Sequence, residues 1–272
     1  MALQKEIWIA DIIEPLFAAN TFAARSIDYS AFVDNRTVHV PNAGAAPKVE
    51  KNRQALPATV GRRQDADLTF QLAEYTADPI LVPDAERVEL SYDKRASVLA
   101  HLRQALADKV HADLLGEWVK GAAHEVENSA AKASMRDSIL AIKDGFDEAD
   151  IPQEGRCLLL TPALHSQLLR ELTGFEGQAF LLSADARAGT VGRVYGFDVY
   201  LRSALGPDKS AAPAGFAWQV GSVCRALGPA DIYTSDRDPA YYGDVLSAIV
   251  RAGGAPARQG GAGRATIKAA AA

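Results

Sequence analysis

Cysteine is nearly absent from this chain: Cys157 and Cys224 are the only two in 272 residues. Their spacing fixes no disulfide and forms no CxxC. Two thiols in apolar surroundings are expected to stay free and buried, as in a reducing cytoplasm. Long apolar runs are also missing, and nothing approaches the roughly 20 residues that cross a membrane as a helix. The first residues, MALQKEIWIADIIE, place acidic side chains where a secretory signal needs a basic start and an uninterrupted apolar core. There are no internal repeats. Cation excess is absent too. The net charge of −5 argues against a protein that coats nucleic acid through bulk charge.

Catalytic motifs are broken or lacking. Asp147-Glu148-Ala149-Asp150 spells a helicase tetrad, but no phosphate loop precedes it, and the end of an amphipathic helix explains it. Gly189, Gly192 and Gly196 open and bend strands and lead into no helix N-terminus that could hold phosphate. Gly260, Gly261 and Gly263 lack the strand-to-helix setting of a dinucleotide site. The five histidines, His39, His101, His111, His124 and His165, form no paired-ligand spacing, and no serine sits in a nucleophile elbow. No metal and no cofactor are expected. An enzyme whose residues assemble from distant positions is the competing class, and it would show a concave pocket with perturbed titratable groups.

What is present reads as an ordinary globular composition, 48% hydrophobic and 23% charged, large enough for one big domain or two small ones. Ile9, Ile12, Ile13, Leu16 and Phe17 form a helical stripe that Pro15 interrupts, which suggests a kinked arm. TVHV at 37–40 alternates, and Leu68, Phe70 and Leu72 alternate again. Between them runs a stretch rich in Pro, Ala and Gly, too long for a plain internal loop. From Pro41 to Gln64 it carries Lys48, Lys51, Arg53, Arg62 and Arg63 against the single Glu50, a net +4. Leu102, Leu106, Val110, Leu114 and Trp118, flanked by Leu99 and Leu115, predict a helix from about Tyr92 to Lys120, roughly 42 Å long.

A second helix is expected from about Ser134 to Ala149, opened by a Ser134/Asp137 capping box. Cys157–Leu160 reads as a buried strand. Thr161 and Pro162 start a helix that Gly174 follows, with Leu164, Leu168, Leu169 and Leu172 facing inward. In RVYGFDVYLR (193–202) the period of two fits a half-buried strand. Phe216, Trp218 and Val220 give another, and Ile232–Thr234 and Val245–Val250 are further candidates. The tail from Gly253 reads as a flexible linker ending in one short strand, RATIK.

In this order, the N-terminal segment, the 37–76 excursion, the long helix, EGRCLLLTPALHSQLL, TVGRVYGFDVYLRS and SDRDPAYYGDVLSAIVRAGG resemble the major capsid proteins of tailed bacteriophages, the Hong Kong 97 fold family. The resemblance covers about residues 1–268. It implies an α+β fold divided into an N-terminal arm (1–33), an extended β-hairpin E-loop (34–80), a P-domain with a spine helix (81–133), an A-domain (134–230) and a return to the P-domain with the C-terminal tail (231–272). It implies a subunit that forms pentamers and hexamers, closes into an icosahedral shell around double-stranded DNA without reading its sequence, and resides in the virion after assembly in the host cytoplasm. A separate scaffolding protein (or prior processing), a portal and a decoration protein are the further partners implied; no membrane is involved.

Under this resemblance, Lys48, Lys51, Arg53, Arg62 and Arg63 meet acidic surface on a neighbour, with Asp84, Glu86 and Glu89 as candidate partners. Trp8 and Phe17 are candidate arm contacts. Some family members cross-link through lysine and asparagine; Lys48, Lys51 and Asn52 lie in the loop, but no motif supports that chemistry here. An encapsulin-type nanocompartment shell and a tail or neck ring protein are the alternatives of related architecture.

Overall fold

The computed structural model describes residues 16–42, 49, 51–52, 54, 66–83, 94–128, 134–208 and 213–269. The centre of the fold is helix α1, Lys94–Val119. At 1.5 Å per residue its 26 residues span about 39 Å. The predicted stripe is the buried face: Leu99, Leu102, Leu106, Val110, Leu114, Leu115 and Trp118 are all buried. Successive turns of that stripe enter different cores. Leu99 and Leu102 join Val82 and Leu246, and Leu106 and Val110 join Ile232, Ala248 and Val250. Leu114, Leu115 and Trp118 join Phe216, Trp218 and Tyr200. One helix thus ties two sheets together, because a stripe repeating every four residues presents a continuous apolar edge along its whole length.

The first sheet is built on a long ribbon, β12 (Val223–Asp238) and β13 (Gly243–Pro256), paired antiparallel. Strand β1 (Ile27–Asp28) adds parallel to β12. Strands β5 (Ala73–Thr76) and β6 (Ile80–Pro83) pair in turn with the other edge of β13. The sequence suggested only Ile232–Thr234 and Val245–Val250. The ribbon is far longer because Gly228-Pro229 is absorbed as an irregularity between Leu227 and Ala230, so the pairing resumes beyond it. The expected boundary at residue 230 falls inside this strand.

The second sheet has six strands in the order β7 (His124–Asn128), β14 (Arg264–Ala269), β11 (Gly215–Gln219), β8 (Arg156–Leu160), β10 (Phe197–Leu201), β9 (Gly192–Val194). Helices α2 (Met135–Glu148), α3 (Pro162–Glu171) and α4 (Gly174–Leu182) belong to the same half of the chain. Met135, Ile139, Ile142 and Phe146 of α2 and Phe180 of α4 cover one face, against Leu158, Val199 and Ile267. The other face packs on α1. Every residue of β8 is therefore buried, as the apolar run Cys157–Leu160 requires of a strand covered on both sides.

Several local expectations are corrected here. RVYGFDVYLR is a hairpin: Tyr195 and Gly196 take positive φ (46° and 91°) and turn β9 into β10. Phe197 and Val199 face one core as expected, but Tyr200 is also buried, on the opposite face against α1, and Leu201 is exposed at the strand end. Gly174 lies just beyond the end of α3, as expected, and it also opens α4, whose N-cap Thr173 forms a full capping box with Glu176. Ser134 accepts from the Asp137 amide at α2, the forward half of the box expected there. Thr161 precedes Pro162 at the start of α3 but its side chain makes no capping bond. Leu169 is 39% exposed rather than inward. The tail is no flexible linker. Gly253–Pro256 ends β13, and β14 lies between β7 and β11 with Ala265, Thr266 and Ile267 buried.

Candidate assembly surfaces

A third, small sheet carries the long excursion. Strand β2 (Val33–Asp34) pairs with β3 (Thr37–Asn42), which pairs antiparallel with β4 (Ala66–Gln71), from Thr37 opposite Gln71 to Asn42 opposite Ala66. Its root is held firmly. Val38, Val40 and Leu72 bury against Ala226. Glu74 takes Arg36 at 2.6 Å and Arg251 at 3.1 Å, bridging the root to β13. Gly253 allows the close passage, since a Cβ there would lie 3.0 Å from the Gln71 carbonyl. Two strands thus leave a fixed base, with the basic stretch between them.

Of the ten residues singled out from the sequence, two are described. Lys51 is exposed, in a turn beside Asn52 (φ 54°). Phe17 is half-buried and engaged within the subunit: the Arg225 guanidinium lies over its ring at 4.6 Å, and its ring is 6.3 Å from that of His111. Trp8, Lys48, Arg53, Arg62, Arg63, Asp84, Glu86 and Glu89 lie outside the described residues. The pairing proposed between the basic and acidic groups is therefore not among the described contacts.

Residues 16–26 are anchored through their backbone. His111 Nε2 donates to the Leu16 carbonyl, Trp218 Nε1 to the Arg25 carbonyl at 2.8 Å, and the Arg225 guanidinium to the Ala23 carbonyl and Ser26 Oγ. Phe22 sits edge-on to Trp118 and Trp218 at 6.2 and 6.4 Å. Buried donors without a partner cost 1–3 kcal/mol each, so these side chains hold the arm where its carbonyls lie. A further arginine, Arg264, donates to the Trp118, Lys120 and Gly121 carbonyls, closing the C-terminus of α1 from the second sheet.

Among the described residues, two clusters of exposed apolar side chains stand out, and sequence reading found neither. On α4 only Phe180 is buried, while Phe175 (83% exposed), Leu181 and Leu182 (78%) project outward. The signal was available: GFEGQAFLL is apolar all round, which suits a helix covered on more than one side. At the turn of the β12–β13 ribbon, Tyr241 and Tyr242 are exposed, and Tyr242 takes a left-handed φ of 50°, with Tyr233 exposed further along. Clustered apolar exposure of this kind marks contact surfaces.

Three titratable groups are tied to the fold. Burial pushes the Cys157 thiol up to about 12 and that of Cys224 up to about 11, so neither is a ready nucleophile; both are free. Asp147, of the broken tetrad, is held low by hydrogen bonds from Lys143 at 2.7 Å and from Arg156, and it ties α2 to β8. Among the described residues no group of three or more His, Cys, Asp or Glu could hold a metal ion, and no helix is long and apolar enough to cross a membrane.

No protein-family model matches the chain, and no curated protein matches it in sequence. Solved structures do. A structure of Mycobacterium phage Che8 is 20% identical, with a TM-score of 0.68 over 91% of this chain and 90% of that one. The capsid structure of cyanophage P-SCSP1u is 13% identical, with a TM-score of 0.68 over 91% and 87%. The capsid of a native GTA particle is 15% identical, with a TM-score of 0.67 over 93% and 91%. The shared geometry takes in both sheets and the helix between them, since it spans nine-tenths of the chain. The chain therefore has the mixed α+β capsid fold of tailed bacteriophages, the Hong Kong 97-like architecture that the order of its sequence elements resembles.

Proposed function

We propose that this protein is the major shell subunit of a tailed-phage capsid, self-associating into pentamers and hexamers that enclose double-stranded DNA. The observation that carries the reading is the likeness to phage capsid chains over nearly the full length of both partners. The exposed Phe175, Leu181 and Leu182 and the tyrosines of the ribbon turn support it, because apolar area of this kind is stabilised when a second copy covers it. No reaction is assigned to the chain. The division into arm, E-loop, P-domain, A-domain and return belongs to the same proposal, as do the virion as its place, a scaffolding partner, a portal and a decoration protein. The negative net charge suits a shell wall that faces packaged DNA without adhering to it.

Electron microscopy of the purified protein, with sedimentation alongside, tests the reading. Closed shells are expected, alone or with a scaffolding protein, and DNA inside shells recovered from infected cells. A uniform small particle that never closes would overturn it. Shells holding a cargo enzyme in place of DNA would move the protein to the nanocompartment class.

A further inference from the structure

Residues 16–26 run over the molecule as a segment fastened at a few points. Leu16, Phe22 and Ala23 are buried, whereas Ala19 and Asn20 are exposed. Thr21 closes the Ala18–Thr21 turn, donating to the Ala18 carbonyl through its amide at 2.9 Å and its hydroxyl at 2.7 Å. That turn rests on Gly189. A Cβ on Gly189 would overlap the Asn20 carbonyl oxygen and lie 2.8 Å from its carbon, and Gly189 also holds a φ of 70°. Any other residue there would have to displace the segment.

Gly189 belongs to a stiff loop that leads from α4 into β9. Asp185 and Thr190 exchange two backbone hydrogen bonds, at 3.1 and 3.0 Å, and the Asp185 carboxylate accepts from the Arg187 amide at 2.9 Å. Both ends of the loop grip α4. Ser183 Oγ donates to the Phe180 carbonyl and accepts from the Arg193 amide, each at 2.7 Å. Gly192 lies against the Phe180 ring, which a Cβ would meet at 2.6 Å. Phe180 is the one buried side chain of α4. The other end of α4 has only the exposed Thr173–Glu176 box and the Arg136–Glu176 pair at 3.2 Å. An element with so little burial opens readily, so the loop decides how firmly α4 is held.

We infer that segment 16–26 is a conformational strap: seated on Gly189, it fixes the 183–191 loop and, through that loop, the exposed apolar face of α4. Such coupling is reciprocal. A second copy that covers Phe175, Leu181 and Leu182 therefore tightens the strap as well. The coupling is a property of the single chain and does not depend on what the protein does. Its use, ordering assembly so that the strap seats before α4 is covered, rests on the capsid reading.

Amide exchange on the unassembled full-length chain tests it. Gly189→Ala should speed exchange about tenfold in 16–26 and in 174–182 alike. Gly196→Ala is the matched control. Its φ is 91°, yet nothing lies within 4 Å of a Cβ there, so it strains the β9–β10 turn and should leave 16–26 unchanged. Thr21→Ala works from the other side: it loosens the turn that carries Asn20 without touching the loop, and should speed exchange about threefold in 183–191 and in α4. Gly189→Ala that quickens only its own loop would overturn the inference, as would Gly196→Ala that loosens 16–26 equally. Thr21→Ala that quickens only 16–26 would overturn it too, and this variant decides the matter if Gly189→Ala does not fold. Whether the chain closes into shells is read separately by microscopy, so the coupling and the capsid reading fail independently.

Discussion

Strands β8 and β13 sit at the centres of their sheets and are buried in opposite ways. In β8 every residue from Arg156 to Leu160 is buried, since α2–α4 cover one face of the sheet and α1 the other. In β13 burial alternates from Asp244 to Arg251, with Leu246, Ala248 and Val250 against α1 and Val245, Ser247 and Ile249 only half-covered. The six-stranded sheet is covered on both faces within the chain. The ribbon leaves a face, an aromatic turn and a loop root for something else to cover. The six-stranded sheet is therefore expected to carry more of the stability, and the ribbon, the loop and α4 are the candidates for association under the proposed function.

Truncation inside the doubly covered sheet should show the largest effect. Trp218 is fully buried, stacks on Phe216 at 5.4 Å and donates to the Arg25 carbonyl. Trp218→Ala should cost about 3–5 kcal/mol in urea unfolding. A cost below 1 kcal/mol would break the contrast.

The joint between the sheets comes next. Arg264→Met leaves the Trp118, Lys120 and Gly121 carbonyls without their cationic donor. A loss of about 2–3 kcal/mol is expected, with faster amide exchange in the last turn of α1. Gly254→Ala should cost about 1–3 kcal/mol by overpacking, because the new methyl would meet the Cys224 carbonyl at 2.6 Å as well as Leu114. Thermal melts of the two variants would rank them.

The arm contact should respond to acid. Burial holds the His111 imidazole below its ordinary value of 6.5, outweighing the Leu16 carbonyl bond. As pH falls below 6.5 the unfolded chain takes up this proton before the folded one does. Stability is therefore fully present above pH 6.5 and declines as pH falls from there through the lower folded pKa. His111→Gln should flatten the slope between pH 7 and pH 5 in denaturation series. An unchanged slope would assign it to His165, whose imidazole burial also lowers.

The smallest effect on stability should come from the exposed face. Phe175→Ser with Leu182→Ser should move the subunit's unfolding by under about 0.5 kcal/mol, while shell yield falls sharply. Loss of folding in this variant would mean that α4 faces the core and not a partner.

Much of the fold was legible where local chemistry and tertiary environment agree. The four-residue spacing of Leu102 to Trp118 specifies α1 whatever it packs on. Ser134 caps α2, and RCLLL reads as a strand covered on both sides. Legibility failed where glycine had two meanings. Gly174 reads as the residue past α3 and also starts α4, and the strand expected only at Ile232–Thr234 runs from Val223 across Gly228-Pro229. The loop's charge was visible in composition, whereas the cleft between β4 and α1 was not, because Leu68, Glu117 and Pro207 are neighbours only in space.

By itself the sequence determined the helices with regular apolar stripes, the fully buried strand at 156–160 and the basic character of the loop. These follow from spacing and composition within a few turns of chain. Only the tertiary structure decided that RATIK, at the far end, lies in the middle of a six-stranded sheet between His124–Asn128 and Gly215–Gln219. Strand pairing is made by backbone groups that every residue carries, so the choice of partner leaves little local trace and is settled by which arrangement buries Ala265 and Ile267 with their donors satisfied.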